Sequence, residues 1–356
     1  MRVAMKRLAW ALCIIVGMLS LGAAAPLYSD HQDLLYYLDE AGQRHEVRSK
    51  EDWLKRREHI LAAVQVVMGE VPAKDKTPLL DMKQEEEAAV GELTRLKISY
   101  GTDEKTRVKA YLFIPPLKTG QKAPAILCLH QTTAIGKMEP AGLGPKANLH
   151  YALHLAQRGY VILAPDYPSF GEYKYDFKDP AYASGSMKAI CDNIRAVDLL
   201  QSLPQVDGER LGCIGHSLGG HNAIFTAVFE PRLKVIVSNC GFTSFPKYYG
   251  GKLAGWTSNR YMPRIASIYK NDPKLVPFDF PELIGALAPR AFLAIAPMRD
   301  DNFEHSGVDD CIVGARPIYE LYGQRDRLLL EHPDCAHDFP EASRKIAYEF
   351  FDRHLK

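Results

Sequence analysis

From residue 123 onward the chain alternates short, continuously apolar runs with longer stretches in which apolar residues recur at helical spacing. Residues 123–129, 160–164, 210–214, 234–238, 291–296 and 327–331 read as strands, and 148–158, 186–203 and 340–355 as helices. Strands that are apolar on both faces and separated by helices belong to a parallel sheet covered on both sides. The predicted fold is therefore α/β, with a mostly parallel central sheet. Upstream the rhythm differs. Residues 93–100 and 107–114 alternate around Gly101-Thr102-Asp103, which predicts an antiparallel hairpin with one wet face. Earlier still, Ser49-Lys50-Glu51-Asp52 opens an amphipathic helix with Trp53, Ile60, Leu61, Val64 and Val67 on one side. Ser49 suits the N-cap, Asp52 stands in the capping-box place, and Pro72 is expected to end the helix. Glu85-Glu86-Glu87 reads as a solvated loop. Residues 241–281 break the strand–helix rhythm and are rich in Tyr, Pro and Gly, with Trp256 among them; a cap is expected there.

The first residues carry a different signal. Arg2, Lys6 and Arg7 precede an apolar run over 8–21, followed by Gly22-Ala23-Ala24-Ala25. Basic, apolar, then small is the pattern of a secretory signal peptide, so residues 1–25 are expected to direct export. The organisation that follows is an N-terminal helical extension over 26–90 and one large domain over 91–356. The 356 residues carry a net charge of +1, which gives no electrostatic basis for binding nucleic acid. No other segment is apolar enough to span a membrane, so no membrane association is expected after cleavage. Of seven cysteines, Cys13 lies in the apolar run. Cys128, Cys213 and Cys240 fall in or beside strands and read as small core residues. Cys311 and Cys335 read as residues of two late loops, the one pair to consider for a disulfide.

The candidate chemistry centres on Gly215-His216-Ser217-Leu218-Gly219, a G-x-S-x-G between a strand and a helix. A serine at the tip of such a turn takes a strained backbone, and glycines two residues either side remove the collisions that side chains would cause. Ser217 is the candidate nucleophile. A hydroxyl needs a base to take its proton, and the base needs a carboxylate to hold its tautomer. Reactive groups in a parallel sheet come from loops at the strands' carboxyl ends. His337 follows the last strand and is the candidate base; His332, nearer the strand end, is expected to pack or face solvent. The loop after 291–296 offers Asp300 and Asp301 as the acid. For the oxyanion hole, Leu218 supplies one N–H and Thr132 the other, with Gln131 as the alternative. His216, Gln131, Phe170 and Tyr173 are expected to wall the substrate pocket. His150 and His154 share a helical face, but no further ligand stands at metal spacing, so they read as surface and packing residues and no metal or cofactor is expected.

Together these residues resemble the α/β-hydrolase superfamily. The resemblance is closest to its dienelactone-hydrolase-like and acetyl-xylan-esterase-like branch. It is carried by Leu129-His130-Gln131-Thr132, Arg158-Gly159-Tyr160 through Ala164-Pro165-Asp166-Tyr167, Gly215 to Gly220, the Asp300 loop and Ala336-His337-Asp338-Phe339. Gln131 stands where that branch commonly has glycine, and Ser217 replaces the cysteine nucleophile of dienelactone hydrolases proper. The resemblance implies a serine hydrolase cleaving a carboxylic ester through an acyl-enzyme. A carbohydrate ester of acetyl-xylan type is the implied substrate class; a small-peptide or amide hydrolase is the alternative, and a catalytically inactive binding protein the third. The superfamily's usual acid loop favours Asp300 over Asp301, with Pro297 starting the turn and Phe303 closing it.

Overall fold

The computed structural model describes residues 26–72, 79–178 and 181–356. The expected signal peptide lies outside the described residues. Among the described residues eleven strands occur in order: β1 (Tyr36–Leu38), β2 (Arg44–Glu46), β3 (Lys83–Val90), β4 (Leu93–Gly101), β5 (Arg107–Ile114), β6 (Ala123–Leu129), β7 (Val161–Pro165), β8 (Val206–His216), β9 (Leu233–Asn239), β10 (Ala291–Ile295) and β11 (Leu328–Glu331). β1 and β2 form a small hairpin of their own; the other nine make one sheet in the order β11-β10-β9-β8-β6-β7-β5-β4-β3. From β11 to β7 every pairing is parallel, and β5, β4 and β3 continue antiparallel at one side. This is the α/β-hydrolase architecture, a mostly parallel sheet with helices on both faces and an antiparallel hairpin at its N-terminal side.

The helices are α1 (Lys50–Met68), α2 (Tyr151–Gln157), α3 (Gly185–Ser202), α4 (Leu218–Phe229), the single turn α5 (Arg264–Ser267), α6 (Phe280–Leu287), α7 (His305–Leu321) and α8 (Glu341–Leu355). Alternate residues of each central strand feed opposite cores. In β6, Ala125, Leu127 and Leu129 belong to the core that also holds side chains of α1, α3, α4, α6 and α7, while Ile126 and Cys128 belong to the core that holds those of α2 and α8. Residues 241–279, within the segment where a cap is expected, are mostly irregular chain with two short 3₁₀ turns and α5.

α1 begins as its sequence dictates: the Ser49 side chain accepts from the Asp52 N–H, and the Asp52 carboxylate returns the bond to the Ser49 N–H. It ends at Gly69, three residues before Pro72, because Gly69 takes φ +107°. Three expectations need correction. Residues 85–87 are part of the edge strand β3: Glu86 pairs with Lys97 of β4 at 3.1 Å, Glu85 pairs with Lys109 of β5, and Glu87 accepts from the Gln84 side chain. Cys311 is not in a loop but on the fully buried face of α7; it and Cys335 are both free thiols. The helix over 148–158 is shorter, starting at Tyr151 after a 3₁₀ turn.

The N-terminal segment is integral to the large domain. Arg56 on α1 and Glu282 on α6, both buried, form an ion pair at 2.5 Å. His31 Nδ1 donates to the other oxygen of Glu282 at 2.8 Å, and its Nε2 donates to the Val276 carbonyl at 3.1 Å. Burial opposes charge on His31, but the Glu282 carboxylate outweighs it and holds the ring above its ordinary pKa. Glu282 Oε2 also accepts the Asp279 N–H, so one carboxylate ties residues 31, 56 and 279 together. The Arg56→Ala substitution would leave a buried carboxylate with His31 as its one cationic partner. We expect a loss of about 3–5 kcal/mol, read as a lower midpoint in urea with an unchanged slope.

Candidate active site

Ser217 stands between β8 and α4 with φ +56° and ψ −117°, a conformation side chains rarely adopt. The strained turn is held by its backbone: Ser217 N–H donates to the Asn239 carbonyl at 2.9 Å, and Ser217 O accepts from Gly220 N–H at 2.8 Å and His221 N–H at 3.2 Å. The flanking glycines are sterically required. A Cβ on Gly215 would lie 2.1 Å from the Gly219 carbonyl, and one on Gly219 would lie 1.9 Å from the Leu129 carbonyl oxygen. The second contact places the turn directly against the end of β6, where the Gln131–Thr132 segment begins.

The loop after β10 carries Asp300. Its side chain is fully buried, and Oδ1 accepts from the Asn302 and Phe303 N–H groups at 2.9 and 3.1 Å. That turn aims the carboxylate inward, where His337 Nδ1 meets both oxygens at 2.8 and 3.0 Å. Asp301, one residue on, is exposed. The acid loop and the histidine loop are stitched together by backbone bonds, from Met298 N–H to Pro333 O and from Arg299 N–H to Cys335 O, each 3.0 Å. Beyond His337, the Asp338 carbonyl accepts from Asn239 Nδ2 and from the Cys240 thiol, which anchors the loop to the end of β9. Burial, with the nearby Asp300 carboxylate, pushes the Cys240 thiol well up, so it stays protonated. His337 makes no hydrogen bond to Ser217 here; such bonds are often long without substrate and tighten when it binds.

His216 packs behind the histidine, its ring 4.7 Å from that of His337. It accepts from Asn239 Nδ2 at 2.6 Å, and burial together with the neighbouring His337 drives its pKa well below the ordinary value. A neutral His216 therefore backs the candidate base. His130 is likewise buried and held low by desolvation. Its Nε2 accepts the Tyr167 N–H at 2.9 Å, so Nδ1 carries the proton and donates to the Gln131 carbonyl at 2.6 Å. Pinning that carbonyl fixes the whole trans peptide and leaves the Thr132 N–H on its opposite side. That N–H has no hydrogen-bond partner among the described residues.

The cleft beside Ser217 is lined by Thr132, Leu218, His221, Tyr248, Gly255, Trp256, Tyr261, Asn302 and Phe303. The two expected oxyanion donors, Thr132 and Leu218, line it, whereas none of the four residues expected to wall it does: Gln131, Phe170, Tyr173 and His216 lie outside the lining. Gln131 is buried and bonds Glu139, Tyr173 bonds Asp192 beneath the surface, and Phe170 lies under the Arg260 guanidinium. The sequence reading missed His221 and the aromatic cap residues as individuals. His221 lies one helical turn from Ser217, a spacing that puts both on the same side of α4's first turn. Its Nδ1 donates to the Gly241 carbonyl at 3.0 Å; burial lowers its pKa to about 3, and its Nε2 has no partner among the described residues. His150 and His154 bond the Gly144 carbonyl and the Tyr348 hydroxyl respectively.

Fold and site together define a serine hydrolase of the α/β-hydrolase fold. The family profile described as the prolyl oligopeptidase family matches residues 146–304. The chain is 26% identical over 254 residues to YtaP of Bacillus subtilis, a protein named as a hydrolase; the match spans 68% of this chain and 82% of that one. Among solved structures, a glucuronoyl esterase from Solibacter usitatus superposes with a TM-score of 0.72 at 20% identity, covering 93% of this chain and 99% of that one. Acetyl xylan esterase 1 from a Thermoanaerobacterium species gives 0.56 at 17% identity, covering 78% and 89%.

The elbow packing yields a direct test. Gly219→Ala forces the end of β6 to move and is expected to abolish labelling by a fluorophosphonate, with a stability loss of about 1–3 kcal/mol. Gly208→Ala, whose Cβ would meet only the Gln201 side chain at 3.3 Å, is the tolerated control.

Proposed function

We propose that this chain is an exported esterase that cleaves a carbohydrate-derived carboxylic ester through an acyl-enzyme on Ser217. Ser217 Oγ attacks the ester carbonyl carbon while His337 Nε2 takes its proton. Asp300 accepts the Nδ1 proton bond and so keeps Nε2 free as the base. The N–H groups of Leu218 and Thr132 receive the negative charge that grows on the carbonyl oxygen. The C–O bond then breaks, and His337 returns the proton to the leaving alcohol. Water repeats the sequence on the acyl-enzyme, releasing the acid and restoring Ser217. The bond from His337 Nδ1 to both oxygens of buried Asp300 is the observation that carries this reading.

The alcohol part is argued from the cleft. Aromatic faces of Trp256, Tyr248, Tyr261 and Phe303 suit the C–H face of a sugar ring. Within that apolar lining, His221 Nε2 is an acceptor and Trp256 Nε1 a donor, both buried and without partners among the described residues. Two unmatched groups of opposite sense fit hydroxyls, which both donate and accept. The similar esterases named above act on sugar-linked esters by their names, which agrees. The second reading, a small-peptide or amide hydrolase, draws on the prolyl oligopeptidase profile. Against it, the cleft lining contains no carboxylate to hold a peptide's amino terminus. Export rests on the basic, apolar and small residues of 1–25; among the described residues no helix is long and apolar enough to cross a membrane.

Ser217→Ala should abolish fluorophosphonate labelling and reduce turnover to the residual about 10³–10⁴ over water that binding and the oxyanion hole supply. Asp300→Asn should lower kcat by about 10⁴ through the wrong histidine tautomer, and Asp301→Asn should leave it nearly unchanged. Among acetylated sugars, methyl esters of sugar acids and aminoacyl anilides, only the first two classes are expected to turn over. Preferred cleavage of the anilides would replace this reading with the second one.

A further inference from the structure

A second cluster of side chains lies outside the cleft, where the first turn of α7 meets the loop after β11. His305 and Asp309 stand four residues apart on α7 and face the same way, and His332 comes from the loop. One donor atom from each of the three lies within 4.8 Å of the others. We propose that His305, Asp309 and His332 form a binding site for a divalent transition-metal ion, with zinc the best match to two imidazoles and one carboxylate.

The hydrogen bonding of His332 points there. Its Nδ1 sits 2.7 Å from the Ala296 carbonyl, which can only accept, so Nδ1 bears a proton. The other nitrogen, Nε2, faces Asp309 Oδ1 at 3.0 Å, a second group that can only accept. A neutral ring therefore turns its lone pair on a carboxylate, and the contact requires positive charge between the two, either a second proton or a cation. His305 decides between them. Its Nδ1 is shielded from solvent with no hydrogen-bond partner among the described residues, and it lies 3.7 Å from Asp309 Oδ2, too far for a hydrogen bond. A proton on His332 leaves that nitrogen unused, whereas a metal ion engages all three donors.

Bonds of about 2.0–2.2 Å in tetrahedral array separate neighbouring donors by about 3.3 Å. His332 Nε2 stands 3.0 Å from Asp309 Oδ1, His305 Nδ1 stands 3.7 Å from Asp309 Oδ2, and the three donors lie within 4.8 Å of one another, so the side chains would close in on the ion. The Ala296 carbonyl is the outer partner that metal-bound imidazoles commonly have on their second nitrogen, fixing tautomer and ring angle. All three side chains are partly exposed, with relative accessibilities of 37%, 47% and 29%, which leaves a fourth position for water. An ion there would clamp the start of α7 to the loop after β11. These are the segments just beyond Asp300 and just before His337, so the site would brace the histidine–carboxylate pair from outside without touching substrate.

Full-length protein is stripped with a chelator and titrated with zinc chloride by calorimetry, and with cobalt chloride by visible absorption. The expected result is one saturable equivalent, cobalt bands of four-coordinate intensity, and a higher melting temperature with zinc. Asp309→Asn, nearly isosteric at a half-exposed position, should weaken affinity at least about tenfold. The His305→Gln/His332→Gln pair should abolish binding while hydrolysis without metal persists. Three results would each overturn the proposal: no saturable binding by the parent protein, unchanged affinity in these variants, or zinc that binds only as an inhibitor at the His337 cluster. If the double variant fails to fold, Asp309→Asn alone decides.

Discussion

The geometry of the site depends on one close contact, the passage of Gly219 beneath the end of β6. With the carbonyl of Leu129 1.9 Å from where a Cβ would stand, helix α4 and strand β6 leave no room for a side chain between them. That approach holds the strained Ser217 peptide and sets it beside the peptide whose carbonyl His130 pins. The strain at Ser217 persists because the surroundings over-determine it, through the β9 carbonyl of Asn239 on one side and the α4 amides on the other. Movement of any of these elements would alter both the candidate nucleophile and the candidate oxyanion donor.

A second constraint ties the periphery to this centre. Glu282 gathers His31, Arg56 and the backbone of Asp279, while the Asp279 carboxylate accepts the Phe245 N–H with both oxygens at 3.0 Å. Phe245 packs edge-on against Trp256, one of the cleft aromatics. The chain from the N-terminal segment to the cap is thus a continuous series of buried contacts. This gives α1 a structural reason to be present although none of its side chains reaches the cleft.

Most of the sheet was legible because buried parallel strands leave an unambiguous mark, continuous apolar runs bounded by polar turns. Strand 123–129 was readable to the residue, and the Ser49 capping box followed from two residue types at the correct spacing. β3 was not legible. Its Lys-Gln-Glu-Glu-Glu opening carries no apolar alternation, and pairing with β4, not local preference, makes it a strand. α7 was overlooked because its apolar residues are interrupted by Asp309, Asp310 and the helix-internal Pro317, which misplaced Cys311. In the site, positions governed by backbone geometry could be read: the glycines around Ser217, and the loops after β10 and β11. The cleft walls could not, since they depend on how an irregular cap folds over α4, and no periodicity encodes that.

The acidic opening of β3 has a bearing on how the molecule behaves in company. β3 is the outermost strand of a nine-stranded sheet, and an unpaired strand edge is a template onto which another chain can add. Here three consecutive glutamates and an irregular register between Gln84 and Glu86 interrupt that template. A second copy laid alongside in register would stack carboxylate on carboxylate. At high protein concentration this edge resists sheet-to-sheet polymerisation while still pairing with β4 to complete the sheet.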